Sequence, residues 1–319
     1  MCVKKLKTVF FGTPDFAVAT LELLAHHPQI EVVAVVSMPD RPAGRGQELK
    51  SPEVIQYARE QKFKLVQTEN INKETEVLAQ WENEGVDLMI VLAFAQFLGE
   101  RILKLPKLGC FNIHTSLLPK YRGAAPIQYA LWNGDKSTGV SIQKMVKKMD
   151  AGDIVHSHPV AISSHETGGQ LTTRLKMQAA LACNDFIENL ISAKIKATPQ
   201  DEAGVSFAPT LKKEDGFLDF TQQNSEQLIN RMRAMDPWPG TYCFVDGKRL
   251  KVLQLEKITA PIKAGEIKNH MNTLVVGCLD GALRLNRIQL EGKKASTDTE
   301  LLNGWRSELK LTSPLKEKP

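Results

Sequence analysis

Short apolar runs alternate with stretches of helical period through the first half of the chain. Thr8-Val9-Phe10-Phe11-Gly12 predicts a buried strand ending in glycine, and Asp15 to Ala25 carries apolar residues at helical spacing. Val32 to Val36 predicts a second strand, Ser51 to Gln61 a helix, Lys64 to Val66 a short strand, and Asn72 to Glu84 another helix. Leu88-Met89-Ile90-Val91-Leu92 is apolar without interruption, as a strand covered on both faces must be. Such alternation predicts an α/β domain built on a doubly wound, mainly parallel, Rossmann-like sheet. Ligands of these sheets bind beyond the carboxyl ends of the strands, where Gly12, Ala93 to Phe97 and Asn112-Ile113-His114 fall.

The pattern changes after a long helix predicted over Gly169 to Leu190. Residues 194–209, with Pro199, Gly204 and Pro209, read as a linker between a domain at 1–193 and a second at 210–319. In the second, a helix over Ser225 to Ala234 precedes Asp236-Pro237-Trp238-Pro239-Gly240. Alternating runs follow at Thr241 to Val245, Leu250 to Leu255, Thr273 to Cys278 and Ala282 to Gln289, with turn signals at Asp246-Gly247 and Asp280-Gly281. Short strands with such turns predict a small antiparallel, OB-like β-barrel.

Bulk properties narrow the class without naming the chemistry. A chain of 319 residues is too long for one typical core, and 42% hydrophobic with 24% charged residues is ordinary globular composition. No apolar run approaches a membrane span, and the opening residues lead directly into a strand, so a cytoplasmic chain with no signal peptide and no membrane partner is expected. Five cysteines at scattered spacings indicate neither a disulfide framework nor a zinc knuckle. The net charge of +5 is uneven: residues 210–319 hold 18 Lys and Arg against 14 Asp and Glu. That excess suits a polyanionic partner but says little alone.

The chemistry concentrates at residues 109–123. Asn112 and His114 share one strand face, their Cα atoms roughly 6.5 to 7 Å apart because side-chain direction repeats every two residues. An amide donor beside an imidazole suits reaction at a carbonyl carbon, where one stabilises an oxyanion and the other donates or relays a proton. Downstream, Asp150-Ala151-Gly152-Asp153 supplies a carboxylate in a tight turn. Taken singly, an Asn-x-His pair is ordinarily a satisfied polar pair, and Asp-Gly turns are common for backbone reasons. Their order beside a parallel-sheet pattern is what makes them informative.

Rival motifs are weaker. The turn after the first strand reads Gly12-Thr13-Pro14-Asp15-Phe16-Ala17, without the glycine fingerprint of dinucleotide sites, and Pro14 removes an N–H that would meet a pyrophosphate. Cys110 shares the Asn112 face but lacks a neighbour that would lower its pKa, and reads as buried and structural. His156 and His158 lack a third ligand nearby in sequence and read as solvated positions of an edge strand, so no metal site is expected. Arg41 and Arg45 sit in a Pro- and Gly-rich loop that reads equally as a solvated insertion or as a pair of forks reaching phosphate or a base edge.

Together, Asn112-x-His114, Ser116-Leu117-Leu118-Pro119-x-Tyr121-Arg122-Gly123 and Asp150-x-Gly152-Asp153 resemble the folate-dependent formyltransferases. The opening Phe-Phe-Gly-Thr-Pro-Asp-Phe-Ala, the loop from Pro39 to Gly46, Pro237-Trp238-Pro239-Gly240 and Asp280 to Arg284 are similar to the branch acting on methionyl-tRNA, and cover nearly the whole chain. The resemblance implies transfer of the formyl group of (6S)-10-formyltetrahydrofolate, a cosubstrate, to the α-amine of methionine on initiator Met-tRNA, by a monomer without metal. It implies catalytic roles for Asn112, His114 and Asp150, folate binding at Ser116, Leu117, Leu118 and Pro119, and enclosure of the pterin near Phe94 and Leu98. Arg41 and Arg45 match the loop that meets the acceptor stem. Phe207-Ala208-Pro209-Thr210-Leu211 and Gln222-Gln223-Asn224 depart from the pattern. The alternatives are a formyltransferase acting on a sugar nucleotide or glycinamide ribonucleotide, and an RNA-binding barrel with an inactive α/β domain.

Overall fold

A computed structural model describes residues 5–43, 46–305 and 309–312. In chain order the first elements are β1 (Leu6–Gly12), α1 (Val18–His26), β2 (Ile30–Ser37), β3 (Arg41–Ala43), β4 (Glu48–Lys50), α2 (Glu53–Glu60), β5 (Leu65–Gln67), α3 (Thr75–Glu84) and β6 (Leu88–Leu92). Then come α4 (Glu100–Lys104), β7 (Gly109–His114), α5 (Pro126–Trp132), β8 (Ser137–Lys144), β9 (Ile154–Ala161) and α6 (Gly168–Ile191). The remainder is α7 (Ser225–Ala234), β10 (Thr241–Val245), β11 (Lys248–Ile258), β12 (Ile267–His270), β13 (Thr273–Cys278), β14 (Gly281–Leu290), β15 (Ser296–Thr297), α8 (Asp298–Gly304) and β16 (Leu311–Thr312).

Among the described residues, those in the ranges 1–126, 137–161 and 172–208 form one compact unit, and those in 127–136, 162–171 and 209–319 a second. The first unit is built on a seven-stranded sheet in the order β5-β2-β1-β6-β7-β8-β9. The pairs from β5 to β7 are parallel, and β8 and β9 are added antiparallel. After β1 the chain winds outward through β2 and β5, then returns to β6 on the other side of β1. That reversal opens a crevice at the carboxyl ends of the strands. Val9, Phe11, Val36, Trp81, Met89 and Val91 pack one core cluster. The arginine loop is more regular than its composition suggests, because β3 and β4 pair as a hairpin.

The second unit carries an antiparallel sheet in the order β12-β13-β14-β11-β10-β16, and β12 and β16 line one cavity, as in a nearly closed barrel. Leu250, Val252, Val276, Leu283, Leu285 and Ile288 fill it. The polar run before α7 has a structural purpose: Asn224 Oδ1 accepts from Gln227 N at 2.9 Å and Gln227 Oε1 accepts from Asn224 N at 3.0 Å, a capping box. Arg284 makes a two-pronged ion pair with Asp298, at 2.8 and 3.1 Å, and so joins β14 to the start of α8. Among the described residues no helix is long and apolar enough to cross a membrane.

Candidate active site

Strand periodicity on β7 does what the sequence requires. Phe111 turns toward α6, with its ring 4.8 Å from that of Phe186, and Asn112 and His114 therefore face the other way. Register extends that face onto β8, because Asn112 lies opposite Gln143 and His114 opposite Ser141. Asp150, from the β8–β9 turn, closes the group.

The Asp150 carboxylate is the hub. Its Oδ1 accepts from Gln143 Nε2 at 2.9 Å and from Asn112 Nδ2 at 3.3 Å, while Oδ2 accepts from Gly123 N at 2.9 Å. Three donors meet a group with about four lone-pair positions, so one direction on Oδ2 remains. His114 Nδ1 lies 3.8 Å from Oδ2, beyond hydrogen-bonding distance. The ring is fixed from its other side: Nε2 lies 2.8 Å from the carbonyl oxygen of Tyr121. A carbonyl only accepts, so Nε2 carries the proton and Nδ1 faces the carboxylate with its lone pair or a second proton.

A buried relay holds the turn that carries Asp150. Arg122, whose side chain is 2% exposed, donates from Nε and Nη2 to Gln200 Oε1 at 3.1 and 2.8 Å and from Nη2 to Glu202 at 2.9 Å. Gln200 Nε2 in turn donates to the backbone carbonyls of Asp150 and Gly152, at 2.8 and 2.7 Å. Two glycines are required by space. A Cβ on Gly152 would stand 1.7 Å from Lys144 O, and Gly123 combines a φ of 123° with a clash 2.6 Å from Ala208 O. The sequence motif contained Tyr121 and Arg122 without assigning them a role, and Gln143 and Gln200 were missed as parts of this site. For those two, only the spacing of Gln143, two residues along a strand from Ser141, offers a local signal.

The other sequence-derived positions divide. Ser116 Oγ donates to Lys120 O at 2.6 Å, and Ser141 Oγ bridges Ser116 O and Leu118 N at 2.8 and 3.0 Å, which fixes the path of Ser116 to Pro119. Leu117 is half-buried, and its side chain fills the space that a Cβ on Gly139 would take. Phe94 packs edge-on against Phe11 at 5.5 Å, and Leu98, 2% exposed, belongs to the core. Phe97 is an exposed large apolar residue of that loop, at 56%. Arg41 lies on the exposed hairpin and pairs with Glu69 at 3.0 Å, while Arg45 lies outside the described residues. Cys110 is buried, and burial alone pushes its thiol well above the ordinary range, so it is no nucleophile.

Residues 5–185 match the model of the formyl transferase family, and residues 210–306 that of the formyl transferase C-terminal domain. The chain belongs to the formyl transferase family. It is 39% identical over 304 residues to the methionyl-tRNA formyltransferase of Geobacter metallireducens, covering 95% of this chain and 97% of the relative. It is 38% identical over 301 residues to that of Thermotoga maritima, covering 94% of this chain and 95% of the relative. It shares its fold with an N-formyltransferase from Helicobacter canadensis, solved with folinic acid and dTDP-3-aminofucose. The TM-score is 0.67, at 18% identity, covering 88% of this chain and 98% of that one.

Proposed function

We propose that this chain moves the formyl group of (6S)-10-formyltetrahydrofolate to the α-amine of methionine on initiator Met-tRNA, in the cytoplasm and without a metal in the transfer. The observation that carries the reading is the convergence of Asn112, His114 and Asp150 at the carboxyl end of β7, in a chain 39% identical to a methionyl-tRNA formyltransferase.

The free amine attacks the formyl carbon. A C–N bond forms, the carbonyl pair moves onto oxygen, and the bond to N10 of the folate then breaks. Asn112 uses the amide N–H that does not point at Asp150 to donate to the oxyanion. His114, held by Tyr121, presents Nδ1 to the same space. Asp150 has one lone-pair direction left on Oδ2 and takes the proton that the attacking nitrogen must lose; His114 Nδ1, 3.8 Å away, is the relay through which a proton reaches the departing N10. Ser116 to Pro119, Phe94 and Phe97 border the folate, and Arg41, Arg45 and the basic barrel bind the tRNA.

The test supplies 10-formyltetrahydrofolate with three acceptors separately: initiator Met-tRNA, an amino-sugar nucleotide and glycinamide ribonucleotide. Formylation of Met-tRNA with kcat/KM at least about a hundredfold above the others is expected, since a site built for one acceptor rejects those that leave its polar groups unpaired. Preference for either small acceptor overturns the tRNA assignment, and no transfer to any overturns the catalytic one.

A further inference from the structure

The His-x-His pair of β9 gains from the fold the partner that its local sequence lacks. His156 and His158 are two residues apart and so share one face of the strand. Register fixes which face: His156 lies opposite Ile142, and Ile142 opposite Ile113, so the pair is on the α6 side of the sheet, opposite Asn112 and His114. On α6, Gln178 and Asp185 are seven residues apart, two turns, and share a helix face. One ligand atom from each of His156, His158 and Asp185 lies within 4.8 Å of the others. Gln178 Oε1 stands 2.7 Å from His158 Nε2 and orients that ring.

An independent observation points to a missing partner. His156 Nε2 is buried and has no hydrogen-bonding partner among the described residues. Buried polar nitrogens are ordinarily satisfied, and an unsatisfied one beside a second imidazole and a carboxylate marks a place for a ligand.

We propose that His156, His158 and Asp185 form a binding site for a divalent first-row transition cation, with zinc its natural occupant. Two imidazoles and one carboxylate are a zinc-type donor set, whereas Mg²⁺ and Ca²⁺ require oxygen cages. Zinc bonds of about 2.0 to 2.1 Å put tetrahedral ligands roughly 3.3 Å apart. Rotation of the exposed Asp185 carboxylate closes the remaining distance, and water takes the fourth position. The ion fastens the edge strand β9 to α6. It takes no part in formyl transfer, because it sits on the opposite sheet face.

The experiment uses untagged, chelator-stripped full-length protein, with zinc chloride as probe. Calorimetric titration is expected to show one zinc per chain, and the thermal midpoint should climb with zinc concentration. Asp185→Asn removes an exposed ligand without touching the core, and His158→Gln removes another; each should weaken binding at least tenfold, since loss of even an outer partner costs ten- to a hundredfold. His165→Gln, an exposed histidine elsewhere, should leave binding unchanged. Cobalt(II) should give the visible bands of a four-coordinate ion with no thiolate charge-transfer band. No zinc binding up to millimolar concentration, equal binding by wild type and both ligand variants, or a thiolate band that marks cysteine capture overturns the proposal.

Discussion

Asp150 illustrates how little freedom a carboxylate proposed for catalysis has once its donors are counted. Gln143, Asn112 and Gly123 all point hydrogens at it, so Asp150→Asn does more than remove a charge. A carboxamide accepts on one side only, and its NH₂ would confront one of those donors. The expected outcome is a fall in kcat of about 10² to 10³, with the dissociation constant for a folate analogue changed little. Asn112→Ala and His114→Ala should show the same split between turnover and binding. Steady-state kinetics beside a binding titration checks all three, and a residue whose variant retains more than roughly a tenth of the rate has no principal part in the transfer. The Asn112–His114 pairing was legible because a period of two is local. The role of Asp150 entered only through resemblance to a family. Tyr121 was invisible as a partner of His114, because the contact uses its backbone carbonyl, which no side-chain pattern encodes.

At the scale of elements, the β8–β9 turn and the β14–α8 junction make separate demands. Gly152 lies where any Cβ would collide with Lys144 O, so Gly152→Ala forces the backbone apart just beyond the Asp150 carboxylate. A loss of about 1 to 3 kcal/mol in unfolding free energy is expected, with kcat falling further than stability alone explains. Wild-type stability with full turnover would mean that the turn is more yielding than its contacts imply. In the second unit, burial is the largest influence on Asp298 and pushes its carboxyl up. Hydrogen bonds from Arg284, Leu274 and Thr299, with the charge of Arg284, outweigh it and hold the group below its ordinary value. A depressed carboxylate contributes stability above the unfolded value of about 3.9, and that contribution fades as pH falls through the folded value. Arg284→Met leaves a fully buried carboxylate without its cation, held only by the backbone N–H groups of Leu274 and Thr299, and should cost about 3 kcal/mol at neutral pH, the low end for broken buried pairs because Arg284 is partly solvated. Below the carboxylate range the gap should narrow, since the stranded Asp298 is then protonated. Denaturant unfolding at neutral and acidic pH checks the sign; a gap that widens with acid contradicts it. Sequence patterning found Leu88–Leu92, Ser225–Ala234 and Thr241–Val245 to the residue, because each is a long apolar or amphipathic run. It missed, among others, β3, β4, β12 and α8, which are short and largely polar, so that no hydrophobic pattern marks them even though β3 pairs with neighbouring β4 and β12 with neighbouring β13.

For the molecule as a whole, residues 198–208 belong to the first unit: Thr198 bridges to Ile154, Phe207 to Arg122, and Gln200 supports the Asp150 turn. A proline-rich composition announces a connection but not what the connection touches. The basic excess of residues 210–319 was countable from sequence, whereas the lysines left free for a polyanion were not. Lys257 and Lys268 are paired with Asp280 and Glu266 at 3.4 and 2.8 Å. Lys251 is different. It alternates on β11 with buried Leu250 and Val252, is exposed, and has no ion pair among the described residues. If the barrel grips tRNA phosphates, a free exposed lysine is where counterions are released on binding. Lys251→Ala should then raise KM for Met-tRNA, leave KM for folate unchanged, and leave kcat at saturating tRNA nearly intact. The plot of log kcat/KM against log salt should lose about 0.7 to 0.9 of slope for each phosphate contact removed. Folate kinetics serve as the internal control, because they do not sense the barrel's charge. An unaltered salt slope together with an unaltered KM for tRNA assigns Lys251 to solvent and moves the phosphate contacts to another part of the surface.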